Sequence, residues 1–328
     1  MRILVTGGAG YIGSHTVRML EPLAEEIVVF DNLSKGHRQA VQASVFVQGD
    51  LFDSSLLAET ICKHRIEAVV HFAAFSLVGE SMEKPRLYYH NNVQGTLNLL
   101  HVMLDHGVNK LVFSSTAAVY GEPECVPITE ETAKNPTNVY GRTKLIMEQA
   151  MADYADAHGL NYIALRYFNA CGAHPQGDIG EDHSPETHLI PLILQTCLGK
   201  RANIKIFGND YPTKDGTCVR DYIHVDDLAQ AHVLALQALY QGKNSASYNL
   251  GNGSGFTVKE VIEAAEFVTG RQICKEIAPR RAGDPAVLIA SAEKIRAELG
   301  WKPEYQDIRS IIDTAWQWHK SHPNGFGS

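Results

Sequence analysis

Short runs of β-branched and other apolar residues alternate with longer segments of helical periodicity through the first half of the chain. The strands that this pattern predicts are residues 2–6, 27–31, 44–48, 68–72, 110–115 and 161–166. The segments between them predict helices at about 11–20, 54–64, 83–106 and 138–158, which are long enough for right-handed crossovers. Strands that alternate with helices in this way are typical of βαβ units. We therefore expect an α/β fold with a doubly wound, Rossmann-type parallel sheet.

The alternation weakens after Asn169. Residues 170–188 are rich in Gly, Pro, His and acidic residues, which predicts a loop that leads into a second, irregular region. A strand and a helix around 219–240 and a strand at 247–250 are regular enough to return to the sheet. We therefore expect a cofactor-binding domain at 1–169 and a smaller α/β substrate-binding domain at 170–328 that is interleaved with it.

Composition and charge exclude several classes of protein. The chain has 328 residues, of which 45% are hydrophobic and 20% charged, as in ordinary globular proteins and unlike disordered or collagen-like chains. The length is about twice the usual ~150 residues of one domain, which favours one large domain or two coupled ones. The formal net charge is −8, without any basic run. Binding to nucleic acid is therefore not expected, because it needs clustered Lys and Arg.

The cysteines and histidines suggest neither a disulfide framework nor a metal centre. The six cysteines are far apart and form no C-x-x-C pair, which favours free thiols in a reducing cytoplasm. The 15 histidines include no H-E-x-x-H or similar cluster, so we expect no metal site. The apolar run after Met1 is shorter than the ~7–15 residues of a signal-peptide core, and no stretch approaches the ~20 apolar residues of a membrane span.

A glycine-rich turn follows the first predicted strand. Gly7, Gly10 and Gly13 are spaced by three residues and flank Tyr11 and Ile12 where a helical pattern opens. Backbone without Cβ atoms can approach a pyrophosphate closely, and the N–H groups of a helix start favour an anion. Asp31 ends the second strand about 20 residues on, where a carboxylate can bind the ribose hydroxyls and repel a 2′-phosphate. This pattern predicts NAD rather than NADP.

Further cofactor contacts are expected at the carboxyl edge of the sheet, where ligands gather in open α/β folds. Asp50 closes the third strand, although an Asp in this position is also a common helix cap. Asn91 lies early in the helix predicted at 83–106 and suits either a buried cofactor donor or a packing role. The candidate residues in this group are Asn32, Asp50, Leu51, Phe72, Ala73 and Asn91.

Three residues form a candidate catalytic set. Thr116 ends the fifth strand, and Tyr140 and Lys144 are spaced to lie on one face of the helix predicted at 138–158. A tyrosine with a pKa near ~10 needs about 4 kcal/mol of phenolate stabilisation to act as a base at neutral pH. Lys144 and a cationic nicotinamide ring can supply that stabilisation, while Thr116 shares the reacting hydroxyl. The set predicts removal of a hydroxyl proton while NAD takes the carbinol hydride.

At this point the chain resembles the extended short-chain dehydrogenase/reductase family, and within it the members that epimerise UDP-hexoses at C4. The resemblance covers nearly the whole chain. The blocks that carry it run from Thr6 to His15, Val78 to Ser81, Tyr140 to Lys144, Arg166 to Asn169, Gly172 to Pro175, Phe207 to Tyr211 and Arg220 to Val225. The last three blocks are far more specific than the glycine turn.

This resemblance implies a redox-neutral cycle in which a transient 4-keto sugar turns over and receives the hydride on its other face. It adds cofactor contacts from Ser76 and Phe168. It also implies substrate contacts from Asn169, His188, Leu189, Lys205, Ile206, Phe207, Arg220, Arg281, Asp284 and Leu288. The guanidinium groups of Arg220 and Arg281 suit a diphosphate. The helices at 83–106 and 138–158 resemble those that pair two subunits in the family, which implies a homodimer.

The chain departs from the family pattern at three positions. Ser76 replaces the usual lysine, which puts the tightness of NAD retention in question. His188 replaces a common asparagine, so contacts to the sugar or the uracil differ there. Leu288 stands where some members carry tyrosine, and a smaller side chain enlarges the sugar pocket. We therefore hypothesise activity on N-acetylhexosamine nucleotides as well.

Three rival functions remain at this stage. A nucleotide-sugar 4,6-dehydratase uses the same hydride step, but it needs Asp-Glu after the hydroxyl of the fifth strand, where this chain has Ala117 and Ala118. An ordinary NAD-dependent alcohol dehydrogenase would release NADH. A non-catalytic NAD-sensing protein would bind the cofactor without turnover, since fold alone does not determine function.

Overall fold

The structure is a computed structural model that describes residues 1–41, 45–281 and 284–327. The strands are β1 (Arg2–Thr6), β2 (Glu26–Asp31), β3 (Val45–Gln48), β4 (Ala68–His71), β5 (Lys110–Ser114), β6 (Asn161–Tyr167), β7 (Asn169–Cys171), β8 (Ile204–Phe207), β9 (Val219–Arg220), β10 (Tyr222–His224), β11 (Ala246–Leu250), β12 (Phe256–Thr257), β13 (Lys275–Ala278) and β14 (Val287–Leu288).

The α-helices are α1 (Tyr11–Leu20), α2 (Ser54–His64), α3 (Val78–Glu83), α4 (Pro85–Tyr88), α5 (Gly95–Asp105), α6 (Val139–His158), α7 (Leu189–Cys197), α8 (Val225–Tyr240), α9 (Val258–Thr269), α10 (Glu293–Leu299) and α11 (Ile308–Ser321). A π-helical segment, Tyr89–Gln94, joins α4 to α5, and short 3₁₀ turns lie at Arg38–Ala40 and Ala117–Tyr120.

Seven parallel strands form the central sheet, in the order β11-β6-β5-β4-β1-β2-β3. From β1, the strands β2 and β3 are added on one side, and β4, β5 and β6 are added on the other. The strand order therefore reverses between β1 and β4, where a crevice opens at the carboxyl ends of these strands. The middle strands are buried along nearly their whole length, because helices cover both faces. This confirms the predicted doubly wound, Rossmann-type α/β fold.

Two apolar layers hold the sheet. On one face, α1 and α8 pack together over a core that includes Val5, Leu228 and Leu236. The other face packs against α2, α5 and α6 through residues such as Leu57 and Leu99. Among the helices that the structure describes, none is both long and apolar enough to cross a membrane.

The predicted strands are found within one or two residues of their expected bounds. The prediction for β3 began at Ser44, which lies outside the described residues. The strand predicted at 247–250 is β11, and it pairs in parallel with β6, so the chain does return to the sheet after leaving it.

The prediction of one continuous helix at 83–106 is wrong, because the structure divides this stretch into separate helical segments. Residues 78–83 make a separate short helix, α3, and a new helix begins at Pro85, because proline has a fixed φ and no N–H and therefore suits a first helical turn. The π segment then interrupts the α-helical hydrogen bonding before Gly95. A π segment of this kind frequently marks a functional site.

The described part of the second region, 170–328, contains three small sheets and the five helices α7 to α11, of which α8 packs on the first region. β9 pairs with β12 and β14, β7 with β10, and β8 with β13. The helices α7, α9 and α11 share an apolar core that includes Ile193, Ile262 and Ile312. Leu288 on β14 packs beside the 3₁₀ turn that follows β5, which links the second region to the first.

Candidate active site

The turn after β1 leaves no room for side chains. Gly7 has a φ of +71°, and a Cβ atom on it would lie 2.5 Å from the backbone nitrogen of Ala73. On Gly13, a Cβ atom would lie 2.3 Å from the carbonyl oxygen of Gly7. Gly10 caps α1 without any side-chain hydrogen bond, so the first N–H groups of this ten-residue helix face the crevice uncapped by a side chain. The turn therefore fits the pyrophosphate of a dinucleotide.

Asp31 is held beside this turn as a fixed acceptor. The Ala9 N–H donates to Asp31 Oδ2 at 3.0 Å and the Leu33 N–H to Oδ1 at 2.8 Å. The side chain is nearly buried, and burial raises the pKa of its carboxyl group although both hydrogen bonds oppose the rise. A carboxylate fixed at the end of β2 suits the ribose hydroxyls of NAD.

Asn32 and Asp50, two of the cofactor candidates at the carboxyl edge of the sheet, contact each other. Asn32 Nδ2 donates to Asp50 Oδ2 at 2.8 Å, while Asp50 Oδ1 accepts the N–H of Phe52 at 3.1 Å. Asp50 therefore closes the turn before α2 and binds Asn32, whereas the helix cap is Asp53, which accepts the N–H of Leu56 at 3.0 Å. Leu51 is almost fully buried in the core, so its backbone rather than its side chain faces the crevice edge.

Around the end of β4, Asn91 does not occupy the buried position expected of it. Asn91 is half-buried, and its amide donates to Asn92 Oδ1 at 3.0 Å. Asn92 is the buried amide, and it exchanges two hydrogen bonds of 2.9 Å with the backbone of Phe75. The π segment explains the difference, because its wider turn changes which side chains face inward. Ser76 is exposed at the start of the next loop.

The remaining cofactor candidates line both sides of the crevice. Phe72 is half-buried, with its ring centroid 4.7 Å from that of His232. Tyr11 Oη donates to the carbonyl oxygen of Gly172 at 2.6 Å, which ties the start of α1 to the segment 170–188. Ile12 and Ala73 are half-buried next to these residues, and Phe168 packs beside the 3₁₀ turn at 117–120.

The three catalytic candidates come together at the carboxyl end of β5. Tyr140 is 9% exposed, and burial raises the pKa of its phenol to about 12, while a hydrogen bond with Thr116 opposes that rise. Lys144 Nζ donates to the Ser114 carbonyl oxygen at 2.7 Å. Burial lowers the pKa of Lys144 to about 7. Perturbed pKa values in a crevice are typical of a functional site.

A buried ion pair supports this arrangement from behind. Glu148, one helical turn after Lys144, forms a bidentate contact with Arg166 on β6, with the closest oxygen and nitrogen 2.5 Å apart. Ser115 Oγ donates to the same carboxylate at 2.5 Å. The Glu148 carboxylate thus joins α6 to the ends of β5 and β6, next to Thr116. Sequence reasoning missed Ser115 and Glu148 as positioning residues.

On the substrate side, both predicted arginines converge on Asp284. Arg220 Nη2 lies 2.9 Å from Asp284 Oδ1, and Arg281 Nη2 lies 3.0 Å from Oδ2. Arg220 also donates to the carbonyl oxygens of Val219 and Pro285. The two guanidinium groups are thereby held close together by an internal anion, as recognition of a diphosphate requires.

Leu288 lies beside the 3₁₀ turn at 117–120. It is half-buried and packs with Phe168 against Val119, Tyr120 and Ile128. Asn169 is also half-buried, and its Nδ2 donates to the carbonyl oxygen of Asp221 at 2.9 Å. These residues form one wall of the crevice next to the 3₁₀ turn that Thr116 caps.

The residues of β8 alternate between two faces. Lys205 and Phe207 are exposed, whereas the side chain of Ile206 is 2% exposed and lies in the second core. The side chain of Ile206 therefore faces the core, and the predicted substrate contact is open only to its backbone. Arg281 lies over the Phe207 ring, 4.9 Å from its centroid, which links β8 to the arginine pair.

His188 and Leu189 mark the start of α7. His188 is the N-cap residue, and its ring contacts Glu181 and Glu186. Leu189 is half-buried as the first residue of the helix. This predicted substrate residue therefore belongs to a larger cluster that sequence reasoning did not identify.

Comparison with known proteins identifies the family of the chain. The sequence matches the NAD dependent epimerase/dehydratase family over residues 3–251. It is 56% identical over 328 residues to UDP-glucose 4-epimerase of Halalkalibacterium halodurans, and this alignment covers 100% of this chain and 98% of the relative. The crystal structure of UDP-glucose 4-epimerase from Brucella ovis in complex with NAD matches with a TM-score of 0.94 and 48% identity over 96% of this chain and 97% of that one. The UDP-Glc/GlcNAc 4-epimerase from Campylobacter jejuni matches with a TM-score of 0.86 and 45% identity, over 97% and 99% of the two chains.

Proposed function

The chain belongs to the NAD dependent epimerase/dehydratase family, and from this premise we propose that it interconverts UDP-glucose and UDP-galactose by inverting C4, with NAD retained as its cofactor. The observation that carries the proposal is the meeting of Thr116, Tyr140 and Lys144 beside the glycine turn. The proposed dinucleotide site and the residues that transfer the proton thus lie in one crevice.

Tyr140 acts as the proton acceptor and donor at O4 of the sugar. Thr116 shares that hydroxyl, and Lys144 stabilises the phenolate from one helical turn away. The chemistry that NAD supplies when bound is reversible acceptance of the C4 hydride. The resulting 4-keto sugar turns about its link to the diphosphate, and Tyr140 returns the proton to O4 when the other face is reduced.

The diphosphate is held by Arg220 and Arg281. Both side chains already contact one carboxylate oxygen of Asp284 each, so a diphosphate between them needs little reorganisation of the guanidinium groups. A fixed diphosphate lets the sugar turn while the nucleotide stays bound. This division of roles supports epimerisation over a reaction that releases its intermediate.

The rival enzymes lack support in the site. Dehydration needs an acid and a base next to Thr116, but the 3₁₀ turn there carries Ala117 and Ala118. An alcohol dehydrogenase would exchange its cofactor at each turnover.

The test is to incubate the purified protein with UDP-glucose without added NAD, and to follow UDP-galactose by NMR and NADH by absorbance. Conversion without net NADH supports the proposal. Net formation of NADH supports a dehydrogenase instead. Absence of product from UDP-glucose and from UDP-GlcNAc, even with NAD supplied, overturns the proposal and favours a binding protein. Conversion only after NAD is supplied supports the reaction but overturns tight retention of NAD. In that case the exposed Ser76, in place of the usual lysine, explains the weaker retention.

We also propose that Leu288 leaves room for N-acetylhexosamine nucleotides. Its half-buried side chain forms part of the pocket wall together with Phe168, close to the catalytic turn. We expect Leu288→Tyr to lower kcat/KM for UDP-GlcNAc much more than for UDP-glucose, and Leu288→Ile to serve as the size-matched control. Equal rejection of UDP-GlcNAc by the native protein and by Leu288→Tyr would refute the role of Leu288.

The assembly and location belong to the same proposal. We place the protein in the cytoplasm, in line with its six free cysteines. We propose a homodimer formed through the helices at 85–105 and 139–158, where the apolar residues Leu87 and Tyr89 are 37% and 38% exposed. Light scattering coupled to size-exclusion chromatography checks the dimer, and a monomer at all concentrations would exclude it.

A further inference from the structure

Among the described residues, four side chains of the segment before α7 converge on one point. They are Glu181, His183, Glu186 and His188, and one potential ligand atom of each lies within 4.8 Å of the others. His188 Nδ1 lies 2.7 Å from Glu181 Oε1 and 3.1 Å from Glu186 Oε1. His183 Nδ1 lies 3.1 Å from Glu181 Oε1 and 3.8 Å from Glu186 Oε2. These spacings bracket the ~3.3 Å between neighbouring donors of a tetrahedral ion bound at ~2.0–2.1 Å.

The two carboxylates of this cluster are buried. The side chains of Glu181 and Glu186 are only 4% and 6% exposed, while the two imidazoles keep an edge towards solvent. In the described part of the chain, neither carboxylate forms an ion pair with Lys or Arg. Buried carboxylates need a compensating positive charge. Here that charge is either a bound dication between neutral imidazoles or protonation of both rings.

The backbone of this segment is fixed by contacts from distant parts of the chain. Trp318 Nε1 donates to the carbonyl oxygen of Glu181 at 3.2 Å, and Lys35 Nζ donates to that of Ser184 at 3.2 Å. His37 Nε2 lies 3.1 Å from the carbonyl oxygen of Asp182. At Gly180, a Cβ atom would lie 2.4 Å from the Trp318 ring. The backbone that carries the ligand side chains is therefore held in place before any ion arrives, which favours tight binding.

The cluster lies between the proposed cofactor and substrate positions. The His183 ring centroid is 6.1 Å from that of Tyr11, at the start of α1. On the other side, His188 is the N-cap of α7 and makes no side-chain capping bond to that helix. An ion held here would fix the start of α7, including Leu189, relative to the glycine turn.

We infer that Glu181, His183, Glu186 and His188 form a binding site for one transition-metal dication of the zinc type. Two imidazole nitrogens and two carboxylate oxygens suit Zn²⁺, whereas Mg²⁺ and Ca²⁺ prefer oxygen ligands alone. All four coordination positions come from the protein, so the ion has a structural role rather than a catalytic one. This inference does not depend on the proposed epimerase reaction.

The sequence alone predicts no metal site at these residues. The spacing His183-x-x-Glu186-x-His188, with Glu181 two residues before, is not a helical motif such as H-E-x-x-H. Its residues lie in a segment without regular secondary structure, so periodicity could not bring them together. Only the folded path of the segment places the donor atoms on one point.

The test measures metal content and affinity rather than turnover. Untagged protein is stripped with a chelator, titrated with Zn²⁺ by calorimetry in buffered solution, and analysed for bound metal by mass spectrometry after gel filtration. We expect one Zn²⁺ per chain and a higher Tm when Zn²⁺ is bound. Titration with Co²⁺ should give the intense visible absorption of a tetrahedral site.

The variants are His183→Gln and His188→Asn, of which the second introduces a residue common in related chains. Each should weaken Zn²⁺ binding by more than about 100-fold, since loss of an outer-shell partner alone costs about 10–100-fold. His64→Gln is the matched control, because His64 contacts a single carboxylate, that of Glu26, outside the cluster. Circular dichroism confirms that each variant is folded.

Two outcomes overturn the inference. If the native protein binds Zn²⁺ no more tightly than His183→Gln and His188→Asn do, the cluster is held by protonated imidazoles alone. If His64→Gln lowers the stoichiometry as much as His188→Asn does, the bound metal is adventitious. Retention of one Zn²⁺ by the native protein and by His64→Gln, with its loss from both cluster variants, supports the inference.

Discussion

Burial favours the uncharged forms of both Tyr140 and Lys144. The pKa of Tyr140 is raised to about 12 and that of Lys144 is lowered to about 7. A neutral phenol cannot accept the O4 proton, so Tyr140 must lose its own proton before it acts as the base. The site must therefore supply positive charge that stabilises the phenolate when the cofactor and the sugar are bound. Lys144 and the cofactor position supply it from two sides.

Replacing the proposed proton acceptor tests this assignment most directly. We expect Tyr140→Phe to lower kcat by about 10²–10⁴-fold, because general acid–base catalysis contributes about that much. KM should change little, since binding depends chiefly on the arginine pair. Tyr240→Phe is the control, because Tyr240 donates to Glu67 at 3.1 Å on an exposed surface. Full activity of Tyr140→Phe would exclude the assigned role.

The lowered pKa of Lys144 makes stability depend on pH. Between about pH 7 and 10.5 the unfolded chain binds a proton at Lys144 that the folded chain does not, so unfolding is disfavoured as pH rises. Relative to Lys144→Met, the native protein should therefore gain up to about 1.4 kcal/mol of unfolding free energy per pH unit in this window. Urea unfolding of both proteins at several pH values measures the difference. Parallel pH profiles would show that Lys144 keeps its ordinary pKa.

At the scale of elements, α6 is held against the sheet by one buried ion pair. Glu148 and Arg166 have side chains 6% and 4% exposed, and Ser115 Oγ donates to the same carboxylate. Removing the carboxylate leaves the Arg166 guanidinium buried without a partner. We expect Glu148→Gln to cost about 3–5 kcal/mol of unfolding free energy.

Chemical unfolding of Glu148→Gln checks this cost. Glu25→Gln is the matched control, because Glu25 contacts Arg2 on the surface and its loss should leave the unfolding curve unchanged. A loss no larger than that of the control would show that the pair at Glu148 is solvated in solution.

The elements differ in how well the sequence predicts them. The strands β1, β2 and β4 to β6 are short apolar runs between polar loops, so their bounds follow from local pattern alone. The π segment at 89–94 could not be predicted, because its hydrogen bonding depends on where Asn92 finds partners in Phe75 and Thr143. Those partners belong to other elements, which periodicity does not describe.

The candidate site likewise contains some residues that local pattern identifies and others that depend on tertiary packing. Gly7, Asp31 and the Tyr140–Lys144 pair have spacings set by one turn or one helix, so local pattern identifies them. The convergence of Arg220 and Arg281 on Asp284 and the cluster before α7 depend on tertiary packing. The alternation along β8 directs the side chain of Ile206 into the second core, so its predicted substrate contact depends on its backbone.

At the scale of the whole molecule, the sheet is completed by a distant part of the chain. β11 pairs with β6, and α8 packs on α1, so residues 225–250 close one edge and one face of the first region. We expect a fragment of residues 1–169 to aggregate, because it exposes the edge of β6 and the apolar face beneath α8. A fragment of residues 1–251 should give a larger soluble fraction. Size-exclusion chromatography of both checks this, and a monodisperse 1–169 fragment would contradict it.

The arginine pair on Asp284 also matters for how a substrate reaches the site. The molecule carries a formal net charge of −8, so at low ionic strength it repels an approaching nucleotide diphosphate. At physiological salt the Debye length is about 8 Å, and a diffusing anion is then affected mainly by the nearest charges. At the arginine pair, two guanidinium groups face the one carboxylate of Asp284, which leaves a local excess of positive charge. Added salt should therefore first accelerate the diffusional encounter and then slow it, once screening reaches the arginines themselves.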